Sequence, residues 1–384
     1  MVAEDKAVFP ELDAVLSRGR PRLYLQPSGY LTGAAAGAAL DAGCGLRLAG
    51  GRFVFSLCEV LALEAGAQMP ISMPMSLDGF RAWAAGLPDH YRERLESLLE
   101  KAAAFRPPFA GLPLDGAGGK GALVMGIVNV TPDSFSDGGD HTEAGAAIAH
   151  GLALMEAGAD ILDVGGESTR PGAEPVAKDE ELKRVLPVIK GLARAGAVVS
   201  IDTRHAEVMA AALGAGAKII NDVSALEGDP ESLQVAAVSG APVILMHMYG
   251  DPRTMQDDPV YTCAPLDIYD YLENRLDVCR QAGIGADRII VDPGIGFGKT
   301  FVHNADILSR LSLYHGLGTG ILLGVSRKRF IAGAAGGTAP KERLSGSLAA
   351  ALGGLDQGVQ IIRVHDVAET RQAVAVWDVL HPVV

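Results

Sequence analysis

From Ala122 onward, apolar runs of strand length alternate with stretches of helical periodicity. The runs are Leu123 to Val130, Ile161 to Gly165, Val198 to Thr203, Ile219 to Val223, Val243 to Met248, Ile289 to Asp292, Ile321 to Val325 and Ile361 to Val364. Within them apolar residues follow one another rather than alternate, the pattern of strands buried on both faces. Between and after them, Glu143 to Ala157, Glu180 to Arg194, Ala206 to Gly214, Ser232 to Val238, Ile268 to Ala282, Ala305 to Leu313, Ala339 to Gly358 and Val367 to Leu380 space Ala and Leu at helical intervals. Several follow an Asp, Thr or Asn cap. Eight such units over roughly 260 residues predict an α/β fold of the (β/α)8, or TIM-barrel, type. A doubly wound open sheet is the alternative, because a linear pattern does not show whether a sheet closes.

The first 115 residues have a different texture and read as a small N-terminal α/β extension of unknown role. Arg22 to Gln26 and Arg52 to Leu57 predict short strands, the Ala-rich stretch between them a helix, and Leu77 to Phe105 a helical pair broken near Pro88. Arg92 to Lys101 reads as a charged, solvated helix face. Arg106 to Gly121 reads as a linker rich in Pro and Gly. The expected division is an accessory region over 1–115, the end of the linker over 116–121, and the barrel over 122–384.

Polar residues fall where the predicted strands end. Asn129, Glu167 to Arg170, Asp202, Asn221 with Asp222, His247, Asp292, Ser326 to Lys328, and Arg363 with His365 all stand at or just beyond a strand C-terminus. An unpaired polar group in a core costs about 1 to 3 kcal/mol, so a ring of them at one end of a barrel points to a site. Val124 to Gly139 is the clearest case: an apolar run passes into Asn129, Thr131, Asp133, Ser134, Ser136 and Asp137.

Composition narrows the classes. The chain has 384 residues, 48% of them hydrophobic, enough for a large core. A net charge of −13 argues against a general nucleic-acid surface, which needs a basic face. A small phosphorylated substrate needs just a few local cations and stays open. No long uncharged apolar run suggests a membrane span or secretion signal, so the expected compartment is the cytoplasm. Cys44, Cys58, Cys263 and Cys279 are widely spaced and suggest neither a zinc ribbon nor a disulfide framework. His205 is expected to be an exposed residue at a helix start and His247 a support for the fifth strand.

Two glycine patterns fail their context tests. Gly116, Gly118 and Gly121 match G-x-G-x-x-G, but they follow a Pro-rich coil and precede a strand, the reverse of a dinucleotide site. Asp292 to Thr300, DPGIGFGKT, resembles a P-loop but is one residue short, with Pro293 where the first glycine belongs. Its glycines suit close approach of a flat ligand to the backbone, with Asp292 as an acceptor.

Eight segments together resemble the dihydropteroate synthase family, in family order: NVTPDSFSDGG at Asn129, DVGGESTRPGA at Asp163, SIDT at Ser200, INDVS at Ile220, LMHM at Leu245, DPGIGFGK at Asp292, GVSRK at Gly324 and RVHDV at Arg363. The resemblance runs from about Leu123 to Leu380. It implies a transferase of folate synthesis, in which p-aminobenzoate displaces diphosphate from 6-hydroxymethyl-7,8-dihydropterin diphosphate after an SN1-like departure. Carried over residue by residue, it implies a pterin pocket of Asp202, Asn221, Met246, Asp292, Lys328 and Arg363. It implies a p-aminobenzoate site of Thr169, Arg170, Pro171, Phe297 and Ser326. Diphosphate would fall to Asn129, Arg170, Arg363 and His365, with Mg²⁺ on Asn129 and phosphate oxygens. Asp202, Asp292, Lys328, Arg363 and His365 would be the catalytic set.

The same resemblance implies sulfonamide competition and a homodimer, while the net charge and the lack of a long apolar run point to neither nucleic-acid nor membrane partners. The small-residue helix from Ser345 to Leu355 is a candidate dimer surface, with intrachain packing the equal alternative. Two rival functions are a pterin-binding methyltransferase acting on methyltetrahydrofolate, and a barrel that binds pterin without catalysis. The Ser326–Lys328 and Arg363–His365 segments favour diphosphate chemistry.

Overall fold

The computed structural model describes residues 9–114, 121–130, 140–168, 174–250 and 254–383. The chain begins with α1 (Pro10–Arg18), β1 (Arg22–Leu31), α2 (Gly33–Asp41), β2 (Leu46–Arg47), β3 (Val54–Leu63), β4 (Ile71–Ser76), α3 (Leu77–Ala84) and α4 (Asp89–Ala103). β3 is the centre of an antiparallel sheet, pairing with β1 along one edge and with β2 and β4 along the other. The two predicted strands are therefore longer than the sequence suggested. β4 was not anticipated, because Pro74 interrupts its run; as an edge strand it tolerates a residue without an N–H.

This sheet is built onto the barrel rather than tethered to it. Tyr24 stacks edge-on against Tyr269, and Tyr24 Oη donates to Asp270 at 2.8 Å. Arg94 makes two hydrogen bonds to Glu273, so part of α4's charged face is engaged rather than solvated. Arg52 pairs with Asp378 at 2.7 Å and lies over the Trp377 ring.

The barrel strands are β5 (Leu123–Asn129), β6 (Ile161–Gly165), β7 (Val199–Asp202), β8 (Ile219–Asp222), β9 (Val243–Met246), β10 (Ile289–Asp292), β11 (Gly320–Leu323) and β12 (Ile361–Val364). Each pairs in parallel with its sequence neighbour. β12 then pairs with β5, Ile361 opposite Leu123, so the sheet closes and the open-sheet alternative is excluded. The covering helices are α5 (Asp140–Glu156), α6 (Lys178–Arg194), α7 (Ala206–Ala215), α8 (Ser232–Ser239), α9 (Ala264–Gln281), α10 (Phe301–Ser309), α11 (Arg329–Ala335), α12 (Leu344–Leu355) and α13 (Val367–Leu380).

Three expected helices differ: the one placed over 268–282 starts at Ala264, with Pro265 in its first turn. The one placed over 305–313 starts earlier, at Phe301, because the Thr300 side chain caps it by accepting from His303 N–H, and the chain tightens to a 3-10 turn over Leu311–Leu317. The one placed over 339–358 is shorter: Pro340–Glu342 forms a separate turn before α12. In α12, Ser347, Ala351 and Gly354 are buried, and a Cβ at Gly354 would lie 2.4 Å from Leu323. That face of small residues serves intrachain packing.

Residue parity sorts the barrel strands into two surfaces. Leu162, Val164, Ile220, Leu245, Val291, Leu323, Ile362 and Val364 pack outward in the main core with the helices. Leu123, Met125, Ile161, Ile219, Ile244, Ile290, Leu322 and Ile361 form a separate cluster inside, at the N-terminal end. Phe109, 1% exposed, joins that inner cluster, and Leu112 and Leu114 pack against it. The stretch expected to be a linker thus includes, over Arg106 to Leu114, a plug for the barrel floor. Arg106 fixes its start: the guanidinium is buried and donates to the carbonyls of Lys101, Ala104, His315 and Thr319 at 2.8 to 3.0 Å.

Candidate active site

Two residues along the strands from that inner apolar layer, most of the same inward-facing rows turn polar. Ile161 gives way to Asp163, Ile219 to Asn221, Ile290 to Asp292 and Ile361 to Arg363, while Leu322 gives way to Gly324 and Ile244 to Met246. A strand advances about 3.3 Å per residue, so the change takes roughly 7 Å.

Arg363 is the hub. Its Nε donates to Asp163 Oδ2 at 2.6 Å and its Nη2 to Asp202 Oδ2 at 2.8 Å. Asn221 Nδ2 donates to the same Asp163 oxygen at 3.0 Å. The other Asp163 oxygen is buried and has no hydrogen-bond partner among the described residues, which leaves an unspent acceptor. Burial, partly offset by the Arg363 guanidinium, pushes Asp202 up to about 7.

Asp292 sits across the barrel and accepts from Gly294 N–H at 2.7 Å. Burial raises it too, against the pull of Lys328. The Lys328 ammonium donates to Ile295 O and lies 4.7 Å from the centre of the Phe297 ring. Burial lowers it to about 8, with Asp292 opposing. These groups converge on Gly324: a Cβ there would lie 3.7 Å from Lys328 Nζ, 3.9 Å from Asp292 Oδ2 and 3.9 Å from Arg363 Cβ. Glycine keeps that space open.

The loops after β11 and β12 are locked to each other. Ser326 Oγ lies 3.0 Å from His365 Nδ1 and accepts from His365 N–H at 3.2 Å. Arg327 is held at φ +58, a conformation that favours glycine, by its pairing with Asp366 and by Ser347 and Arg343. Such strain persists where neighbours over-determine it, as at binding sites. Met246, 4% exposed, ends β9, and Asn129 is half-buried at the end of β5.

The structure therefore gathers Asp202, Asn221 and Arg363 in one hydrogen-bonded group, Asp292, Lys328 and Phe297 in an adjoining one, and Ser326 with His365 in a third. Thr169, Arg170, Pro171 and the loop 131–139 lie outside the described residues. His205, expected to be exposed, is largely covered and its Nδ1 meets the buried Glu181 at 2.7 Å. His247 is buried beside Lys299 at 2.9 Å. The sequence reading passed over two participants. Asp163 was findable, being a carboxylate at an inward position of an apolar strand. Lys299 was not, because spacing does not say where a long side chain turns.

By contrast, a cleft of about 450 Å³ between β1, α4 and α9 holds Arg22 and Arg94 already paired with Asp270 and Glu273. Its charge is mostly spent within the protein.

A family model described as pterin binding enzyme matches residues 125–365. The chain is 48% identical to the dihydropteroate synthase of Escherichia coli strain K12 over 66% of this chain and 89% of that protein. It is 47% identical to that of Neisseria meningitidis serogroup B, over 67% and 92%. The chain belongs to the pterin-binding dihydropteroate synthase family. Among solved members of the family, the Xanthomonas albilineans enzyme with 4-aminobenzoic acid aligns at TM-score 0.66 and 47% identity, covering 72% of this chain and 97% of that one. The same organism's enzyme in complex with 7,8-dihydropteroate aligns at 0.63 and 43% identity, covering 71% and 97%. The family model's match begins at residue 125, after the N-terminal sheet and its floor plug.

Proposed function

We infer that the chain is a transferase of folate biosynthesis that joins p-aminobenzoate to 6-hydroxymethyl-7,8-dihydropterin diphosphate, giving 7,8-dihydropteroate and diphosphate. The observation that carries this reading is the set of buried Asp163, Asn221 and Asp292 with half-buried Asp202, Lys328 and Arg363 at one end of a barrel whose relatives are solved with 4-aminobenzoic acid and 7,8-dihydropteroate.

The residue types suit the chemistry. A pterin edge rich in N–H donors would meet Asp202, Asn221 and Asp292, with Lys328 at its oxygen, Met246 beneath and Arg363 over its face. Departure of diphosphate before attack leaves positive charge on the pterin methylene. Asp202 and Asp292 stabilise that charge without reorganising, worth a few kcal/mol on the order of other preorganised sites. Asn129, Arg170, Arg363 and His365 would hold the leaving diphosphate. Phe297 and Ser326, with Thr169, Arg170 and Pro171, would seat the aromatic amine.

Mg²⁺ fits as a companion of the diphosphate. Among the described residues, no group of three or more His, Cys, Asp or Glu is arranged to hold a metal, so a cation there would rest mainly on phosphate oxygens, with Asn129 as a protein ligand. When bound it would neutralise charge on the leaving group. A homodimer is also part of this reading. α12, whose packed face is turned inward, leaves Ser345, Ala349 and Gly353 exposed for it. None of the described helices is long and apolar enough to cross a membrane.

The test is a product assay on the purified chain with dihydropterin diphosphate, p-aminobenzoate and Mg²⁺. Dihydropteroate and diphosphate appearing together, and a sulfonamide competing with p-aminobenzoate, are the expected results. Pterin binding without product would sink the reading.

A further inference from the structure

The loop after β10 is pinned one carbonyl at a time. Ile295 O accepts from Lys328 Nζ, Gly296 O from Gln256 Nε2 at 2.9 Å, Phe297 O from Lys299 Nζ at 2.9 Å and Gly298 O from Tyr261 Oη at 2.9 Å. The loop needs such ties. Gly294, Gly296 and Gly298 all take positive φ, and alternating glycines give a backbone little preference of its own.

Lys299 is the most deeply placed of these donors. It is 3% exposed, and its ammonium also meets His247 Nδ1 at 2.9 Å and His247 O at 3.3 Å. Three donors thus meet three acceptors, one from the loop and two from the residue just beyond β9. The approach is close: a Cβ at Gly294 would lie 1.9 Å from His247 O. Burial lowers Lys299 well below its usual range against the pull of the Asp292 carboxylate, and it lowers His247 too, with the neighbouring Lys299 charge adding to the effect.

We propose that Lys299 is a positioning residue for the aromatic-amine half of the site, holding the loop that carries the Phe297 ring against the incoming p-aminobenzoate. It touches neither substrate. It ties the loop bearing the Phe297 ring to the end of β9, while Asp163, Asp202 and Asn221 stand on other strands and do not depend on it. The proposal rests on the dihydropteroate synthase reading given above.

The test compares the wild-type chain with Lys299→Met, which keeps the length and loses every donor, and Lys299→Gln, which keeps an N–H₂ for the Phe297 carbonyl. Steady-state kinetics would give KM for p-aminobenzoate, and titration with dihydropterin diphosphate alone would give its Kd. The expected result is a KM for p-aminobenzoate raised about tenfold in Lys299→Met and less in Lys299→Gln, with the pterin Kd within about twofold of wild type. If Lys299→Met does not fold, the same split in Lys299→Gln decides. An unchanged KM, or an equal loss of pterin affinity as a general structural role would give, overturns the proposal. Wild-type chain that binds but makes no product would overturn the reaction assignment and this inference with it.

Discussion

At the floor of the barrel, Ile161, Ile219, Ile244, Ile290, Leu322 and Ile361 face one another around Phe109; two residues on, the same strands present Asp163, Asn221, Met246, Asp292, Gly324 and Arg363. The floor is an ordinary dry core whose stability grows with buried apolar area. The mouth is the opposite. Three carboxylates, a lysine and an arginine share a space that disfavours charge, and Asp202 and Lys328 are shifted toward neutrality for that reason. One end of each strand holds the fold and the other spends some of that stability on chemistry.

The sharpest way to break the contrast is to remove the floor's plug. A chain starting at Gly121 would expose the inner apolar layer and the surfaces of α9 and the 311–317 turn. It is expected to be insoluble or unfolded, read by gel filtration and circular dichroism. A soluble, active product would show that the N-terminal region is dispensable. Phe109→Asp tests the same layer within the full chain. Burying a carboxylate among isoleucines should cost roughly 4 kcal/mol or more, seen as a lower urea midpoint.

At the mouth the expected signs reverse. Lys328→Met removes a half-buried cation and should lower kcat/KM by about 10²- to 10³-fold, while leaving the urea midpoint unchanged or higher. A loss of stability as large as the one at Phe109 would erase the distinction between the two ends.

The smallest effect is in pH. Asp202 must be ionised to stabilise a cation, so activity should fall about tenfold per unit as pH drops below about 7. Lys328 must be charged, so a second fall should begin as pH rises above about 8. A flat kcat/KM profile from pH 6 to 9 would mean that neither group is needed in the charged form.

Much of this was legible before the fold was known, and the reason differs by feature. The strand–helix alternation carried the barrel because burial on both faces leaves a continuous apolar run that any reader of the chain can see. Asn221, Asp292 and Arg363 stood out because a polar residue ending such a run has no cheaper explanation. β4 was missed because Pro74 masks an edge strand, and the split before α12 because Ala and Gly continue a helical texture through a turn. Asp163 needed the inward parity of β6, which the sequence carries but the reading did not use.

By itself, then, the sequence determined the element order and the residue types at the strand ends, since both follow from local periodicity. Closure of the sheet, the choice of Arg363 as the group that joins Asp163 to Asp202, the use of Arg106 to Leu114 as a floor, and the burial of Lys299 against His247 were decided by tertiary structure. Each depends on which distant residues meet and on how far water is excluded when they do. Spacing along a chain contains neither quantity.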